Sequence, residues 1–454
     1  MRYAISYGCG KASRLIPARS KQNLQITKLG SLLELKTNRT LLLTASDAAG
    51  QIQSTQRLTL MLSNVAPGQS RLSRLPYDQK PSSRACVLTA NELAESVVDA
   101  WIRVRAVVNN GDKDTLRALH MQAKRADTNV DGKTLHKDLL KLQKYFPEPS
   151  CIQPEKISPV LIPVDAPRTL EGKLFRLCRA SWSMPFSKGY GRRLRFLVFD
   201  EHHEAVIGII GLQSPPADLL CRDRYFGVTK KNKLAVANTT MDAYTVGASP
   251  TYAPLLAGKL VAGFIHSSIV RKAYWRAYGG SQAIISGERL PQPLLAVTTA
   301  SAFGRSSIYN RLKFDGELLA RPLGFTRGFG TVHLEELYPH ISAYLKERGK
   351  FIPAGFGNGP KVRWQNVIRA LAELGIQRDC LEHGIAREVF IFEFASNTLE
   401  AQQNDAVPKM RDFNDKAWAN HWKQRWCLAR VQRNPNWASF STYERMITAI
   451  DDLL

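Results

Sequence analysis

Pro147, Pro149, Pro154, Pro159, Pro163 and Pro167 follow one another in quick succession. Each proline fixes φ and removes a backbone donor, so neither a helix interior nor a central strand can cross this stretch. Residues 147–167 therefore read as a linker, the sharpest boundary in the sequence. Before it, residues 1–85 alternate weakly between polar and apolar (LGSLLEL, RTLLLTA, QRLTLML), the period of short strands. Residues 86–146 switch to helical periodicity. Thr89-Ala-Asn-Glu92 has the form of a capping box and opens the first helix, and two more helices are expected up to Tyr145.

Beyond the prolines, a helix near Leu170–Ser181 precedes two apolar runs, LRFLVFD and AVIGIIGLQ, separated by Glu201-His202-His203-Glu204, which predicts a β-hairpin with an exposed turn. A further strand ends near Thr245–Gly247, a helix spans about 253–266, LLAVTTAS reads as a buried strand, and Ser306–Leu312 reads as helical. From Phe351 onward helices are expected at 362–374, 387–400, 417–432 and 443–453. The fold class expected is α+β: a mixed-sheet core over 168–335 and a helical C-terminal domain over 336–454.

Charge narrows the partners. The 454 residues carry 63 Lys plus Arg against 39 Asp plus Glu, a formal net charge of +24. Met1 to Leu88 holds 13 basic against 3 acidic residues, whereas Glu336 to Leu454 is nearly balanced at 16 against 14. An excess of this size points to a polyanionic partner, nucleic acid first and DNA above all. A hydrophobic share of 44% excludes wholesale disorder, and the longest apolar runs are too short, or interrupted by Lys259, to span a membrane. The seven cysteines show no CxxC and no zinc spacing, so reduced thiols in a cytoplasmic protein are expected and no metal site is signalled.

The order of elements after the prolines resembles a Gcn5-related N-acetyltransferase core. The likeness rests on Ile207-Gly208-Ile209-Ile210-Gly211-Leu212, on Pro250-Thr251-Tyr252 running into Ala257-Gly258-Lys259-Leu260, and on Ser307-Ile308-Tyr309-Asn310-Arg311-Leu312-Lys313-Phe314. It implies acetyl-CoA or another acyl-CoA at Gly258 and Lys259, where a helix N-terminus would face a pyrophosphate. Tyr309 would then be a general acid and Asp242 a base. The sequence departs from that pattern, because only Gly258 of the usual glycines is in register.

A second resemblance covers more of the chain. Leu220-Cys221-Arg222-Asp223-Arg224-Tyr225-Phe226-Gly227, Met241-Asp242-Ala243-Tyr244, Gly247 to Tyr252, Leu256 to Val261 and Thr298 to Leu312 are similar, in that order, to the Druantia anti-phage protein A family, with further matches at Gly355–Lys361 and Trp422–Trp426. The resemblance implies a component of bacterial antiviral defence, acting on or near DNA and beside other defence proteins. Arg192, Arg193 and Arg195, delivered by a glycine-containing loop, are expected at phosphates, with Arg222, Arg224, Arg305 and Arg311 as further contacts. An acyltransferase acting on nucleic acid or protein is the alternative.

Other patterns point nowhere. Gly8-Cys9-Gly10-Lys11 and Gly355 to Lys361 lack residues that a phosphate-binding loop needs. Asp165, Glu171 and Lys173 straddle the proline stretch rather than converging as a nuclease site would. Trp418, Trp422 and Trp426 recur every four residues, the spacing of a helix face turned to the core.

Overall fold

The computed structural model describes residues 88–125, 131–185, 191–282, 287, 293–353, 362–403 and 406–453, together with the backbone of two N-terminal strands. The chain divides into two units, Met1–Ala85 and Cys86–Leu454. In the first, β1 (Leu41–Ser46) pairs antiparallel with β2 (Ile52–Leu58). The rest of the strand-like expectation for residues 1–85, and the Gly355–Lys361 segment, lie outside the described residues.

The second unit is built on a seven-stranded sheet. Its strands are β3 (Pro159–Pro163), β4 (Arg193–Asp200), β5 (Ala205–Gln213), β6 (Thr240–Ala248), β7 (Ala296–Ala300), β10 (Arg321–Phe325) and β11 (Glu388–Glu393). A two-residue ribbon, β8 (Lys313–Phe314) with β9 (Glu317–Leu318), stands apart. The spatial order is β10-β11-β7-β6-β5-β4-β3, antiparallel throughout except where β6 and β7 run parallel.

Three expectations change. The proline stretch is no linker, because it supplies β3, the edge strand, with Pro159 and Pro163 at its two ends, where a missing donor does not interrupt the sheet. Residues 336–454 do not form a separate helical domain, since Glu388–Glu393 inserts as a strand between β7 and β10. Its Val389, Phe390, Ile391 and Phe392 are buried on both faces of the sheet, and so continuous an apolar run carries no period that separates strand from helix. Ser306–Leu312 is a turn rather than a helix, with Arg311 at φ 57°.

The predicted capping box is present: the Thr89 hydroxyl accepts from the Glu92 amide, and the Glu92 carboxylate accepts from the Thr89 amide at 2.8 Å. It starts α1 (Ala90–Asn110), followed by α2 (Lys113–Arg125) and α3 (Gly132–Leu142). α4 (Leu170–Ala180) packs on β4 and β5, while α5 (Leu220–Phe226) and α6 (Lys233–Thr239) precede β6. α7 (Ala257–Gly263) and α8 (Ser268–Tyr278) connect β6 to β7. α9 (Tyr338–Glu347) and α10 (Val362–Glu373) form a core with α1. α11 (Thr398–Gln403), α12 (Asp415–Trp422), α13 (Ala429–Arg433) and α14 (Thr442–Asp451) complete the chain.

The tryptophan spacing of the C-terminal helix is a core signature. Trp418 and Trp422 are fully buried against α7, where their indole N–H groups donate to the carbonyls of Leu260 at 2.9 Å and Leu256 at 3.2 Å. Glu201, His202 and Glu204 of the hairpin turn are exposed as expected, whereas His203 turns inward. His203 Nε2 accepts from the Gln153 amide at 3.0 Å, so its Nδ1 carries the proton that reaches Asp200 at 2.7 Å. Asp200 is fully buried and also receives the Tyr252 hydroxyl at 2.8 Å and the Ser158 amide at 2.9 Å.

Candidate functional site

β6 and β7 pair only from Thr240–Asp242 to Ala296–Thr298. Beyond that point β6 continues with β5 and β7 continues with β11, and the two strands part. The gap opens into a cleft of about 340 Å³ lined by Tyr244, Thr299, Ser301, Phe303, Arg305 and Tyr309 from the strands and the loop after β7, and by Lys113, Arg117, Arg179 and Trp182 from α2, α4 and the turn that follows it. Four cations and no carboxylate line it among the described residues. A concave surface of one sign raises the local concentration of anions.

Each wall is held by specific contacts. Trp182 lies flat on β6 at Gly247, where a Cβ would come within 2.9 Å of the indole, and its N–H donates to the Ala248 carbonyl at 3.2 Å. Arg179 is almost wholly buried, stacks 5.8 Å from the Trp182 ring and donates to the carbonyls of Met184 and Pro185. Burial lowers its pKa to about 10. α2 contributes through one face, because residues four and seven apart share a side of a helix. Lys113 and Arg117 reach the cleft, His120 stacks on Phe303 with ring centroids 4.7 Å apart, and buried Lys124 donates to the Ala180 and Trp182 carbonyls at 2.6 Å each.

The candidate acid and base do not converge. Asp242 accepts from Gln213 and Thr298 at 3.3 Å each, and Thr298 pairs across the sheet with Ile391. Tyr309 packs on Phe390 and Phe392, which pair with Thr299 and Val297. Alternate positions of a strand face opposite sides, so Asp242 and the Tyr309 ring occupy opposite faces of the sheet. Burial pushes the Asp242 carboxyl up to about 6 and the Tyr309 phenol up to about 12. A phenol so shifted keeps its proton.

The residues expected to hold a CoA pyrophosphate do not fit that group. Gly258 faces the Ile308 side chain, and Lys259 donates to the Ile308 and Asn310 carbonyls at 3.2 and 3.0 Å. The turn before α7 is sealed by the protein itself: Thr251 lies against Pro147 and Thr442, Tyr252 against Asp200, and Trp422 against the Leu256 carbonyl.

The expected arginines divide into two groups. Arg192 spends its guanidinium on the carbonyls of Ala237, Asn238 and Thr240 and on the Tyr274 hydroxyl. Arg222, 2% exposed, donates to Asp223 at 2.6 and 2.9 Å and to the Pro216 and Ala217 carbonyls. Both are interior fasteners. Arg193 lies over Tyr244 and Arg195 over Phe175, each partly exposed, while Arg224, Arg305 and Arg311 are exposed. Of these five, Arg305 enters the cleft. Sequence reasoning missed Lys113, Arg117, Arg179 and Trp182; the recurrence of Lys113, Arg117, His120 and Lys124 along one helix face was the available signal.

Residues 110–403 match the family model described as Druantia protein DruA. That span begins just before α2 and ends with α11, so the helix that brings Lys113 and Arg117 to the cleft lies inside it. Over 330 residues the chain is 37% identical to Druantia protein DruA of Escherichia coli (strain UMEA 4076-1), covering 72% of this chain and 81% of that protein. No solved structure matches. No helix among the described residues is long and apolar enough to cross a membrane. The chain belongs to the Druantia protein DruA family and is the DruA component of a Druantia anti-phage defence system.

Proposed function

We propose that this DruA protein binds nucleic acid, DNA foremost, through the cleft between the parting ends of β6 and β7. The observation that carries the reading is the lining itself: Lys113, Arg117 and Arg305, backed by the buried Arg179, with Trp182, Tyr244 and Phe303, and no carboxylate among the described residues. Cations neutralise backbone phosphates, and aromatic walls accept bases or sugars without regard to sequence. Arg193, Arg195, Arg224 and Arg311 extend the phosphate contacts outside the cleft, and the net charge of +24 supplies long-range attraction. Other proteins of the same defence system are the partners that family membership implies.

The acyltransferase alternative retains one supporting observation. The strands β4, β5, β6 and β7, with α7 after β6, follow the order of an acetyltransferase-like core, although α5 and α6 intervene before β6 and α8 before β7. Its cofactor place, however, is filled by Ile308, Thr442 and Trp422, which favours a core used for binding over one that carries an acyl group.

The test is salt-dependent affinity for oligonucleotides. Each phosphate contact contributes about 0.9 to the logarithmic salt slope on duplex DNA. Arg117→Ala combined with Arg305→Ala should weaken binding to unrelated sequences alike and flatten the slope by up to about two units. An unchanged affinity and slope in the folded double variant would reject the cleft as the binding site.

A further inference from the structure

A second surface lies on α8, outside the cleft. Val270, Ala273 and Tyr274 of that helix are buried, yet Trp275 is 56% exposed. Its indole forms one wall of a cavity of about 360 Å³, beside Pro293, Leu294 and Met410, with Arg271, Lys272 and Arg276 also lining it. No carboxylate lines this cavity among the described residues. Of its cations, Arg276 pairs with Asp165 at 2.9 Å on the exposed surface.

The indole lies over the end of its own helix. A Cβ at Gly279 would lie 3.4 Å from Cδ2 and Cε2 of Trp275, so the end of the helix backs the ring. The helix in turn is tied to the end of α6, since Tyr274 donates to the Asn238 carbonyl at 2.7 Å, and to the start of β4, where Tyr278 both accepts from the Arg193 amide at 2.6 Å and donates to its carbonyl at 2.9 Å. An aromatic side chain carried on an anchored helix loses less freedom than one on a loop when a flat ligand stacks on it.

We propose that Trp275 is a stacking platform for an unpaired nucleobase, with Arg271 and Lys272 meeting the phosphates on either side of it. Arg271 and Lys272 stand four and three positions before Trp275, on neighbouring lines of the same helix surface. Charge complementarity selects this occupant: a purely apolar partner would strip water from Arg271 and Lys272 without pairing them, whereas a nucleotide supplies a flat ring and an anion together. The inference rests on the nucleic-acid reading above and adds a preference for unpaired strands.

The experiment compares the full chain with its Trp275→Ala and Trp275→Phe variants on three probes of equal length: oligothymidylate, a blunt duplex, and a strand of abasic sites. Loss of one stacked base should weaken oligothymidylate binding by Trp275→Ala about 5- to 150-fold. Trp275→Phe should retain most of the affinity, and duplex binding should be unchanged in both variants. The wild type should bind the abasic strand at least as weakly as Trp275→Ala binds oligothymidylate, because the cleft aromatics lose their bases too. Equal affinity of Trp275→Ala and wild type for oligothymidylate, or an equal loss on duplex and single strand, overturns the platform while leaving the cleft reading intact. Failure of the wild type to bind any of the three overturns both.

Discussion

The Arg192 guanidinium donates to the Tyr274 hydroxyl, which passes its own proton on to the Asn238 carbonyl at 2.7 Å. Through this relay and the carbonyls of Ala237 and Thr240, one arginine joins β4, the end of α6 and the middle of α8. Its charge is taken up inside the fold, so its removal acts on stability before it acts on any ligand.

Arg192→Ala should therefore destabilise the protein by about 3 kcal/mol or more, because several partly buried acceptors lose their donor and each costs about 1–3 kcal/mol. Arg192→Lys should lose nearly as much, since an ammonium cannot reproduce a fork across four acceptors. Urea denaturation of the three proteins measures this. A variant as stable as the wild type but with a flattened salt slope would return Arg192 to the phosphate-binding surface.

Asp242 gives a dependence on pH. Its carboxyl is held at about 6 against an ordinary value of 3.8, with burial as the main cause. Between those values the folded protein keeps a proton that the unfolded chain releases, so this group's contribution to stability is full below the lower value and is lost as pH rises towards 6. Asp242→Asn should gain on the wild type across that window and then hold a constant advantage. Urea midpoints taken at intervals from about pH 4 to pH 7 test it, and a difference that does not change with pH would refute the shift.

Lys124 behaves in the opposite sense. Burial and the neighbouring Arg179 lower its pKa from 10.5 to about 7. Between 7 and 10.5 the unfolded chain binds the proton that the folded protein lacks, so this contribution to stability rises with pH through that window. Lys124→Met should abolish the rise and, by releasing the Ala180 and Trp182 carbonyls, loosen the Trp182 wall of the cleft. Parallel stability profiles for variant and wild type between neutral and alkaline pH would contradict the expectation.

What could be read from the sequence follows a physical division. Local signals were legible: the capping box at Thr89, the hairpin around residues 201–204, and the tryptophan spacing that marks a buried helix face. Each depends on neighbours within one or two turns or strands. The insertion of Glu388–Glu393 between β7 and β10 depends on partners far away in the sequence, 89 residues for Val389 with Ala300 and 70 for Arg321 with Ile391. The cleft was hidden for the same reason. Arg305 was visible as a cation, but Lys113 and Arg117 come from a helix on the far side of the proline stretch, and Arg192 could not be told from a phosphate ligand until its carbonyl partners were in place.

The close approach of Gly263 to Trp418 gives the last expectation. A Cβ on Gly263 would lie 2.1 Å from Cε2 of the Trp418 indole and 2.5 Å from its N–H nitrogen, which donates to the Leu260 carbonyl. The ring has little room to retreat, because it is fully buried and packs against Phe314 and His421, with ring centroids 5.5 and 5.8 Å away. Gly263→Ala should then cost at least the 1–3 kcal/mol typical of overpacking, despite the better helix propensity of alanine, about 1 kcal/mol in its favour. Trp418→Leu alone should also destabilise, through lost burial. The double variant should be more stable than the sum of the two losses predicts, because leucine leaves room for the new methyl group. Strict additivity in a double-mutant cycle would mean that α7 and α12 shift apart to accommodate the methyl, and that the contact does not fix their spacing.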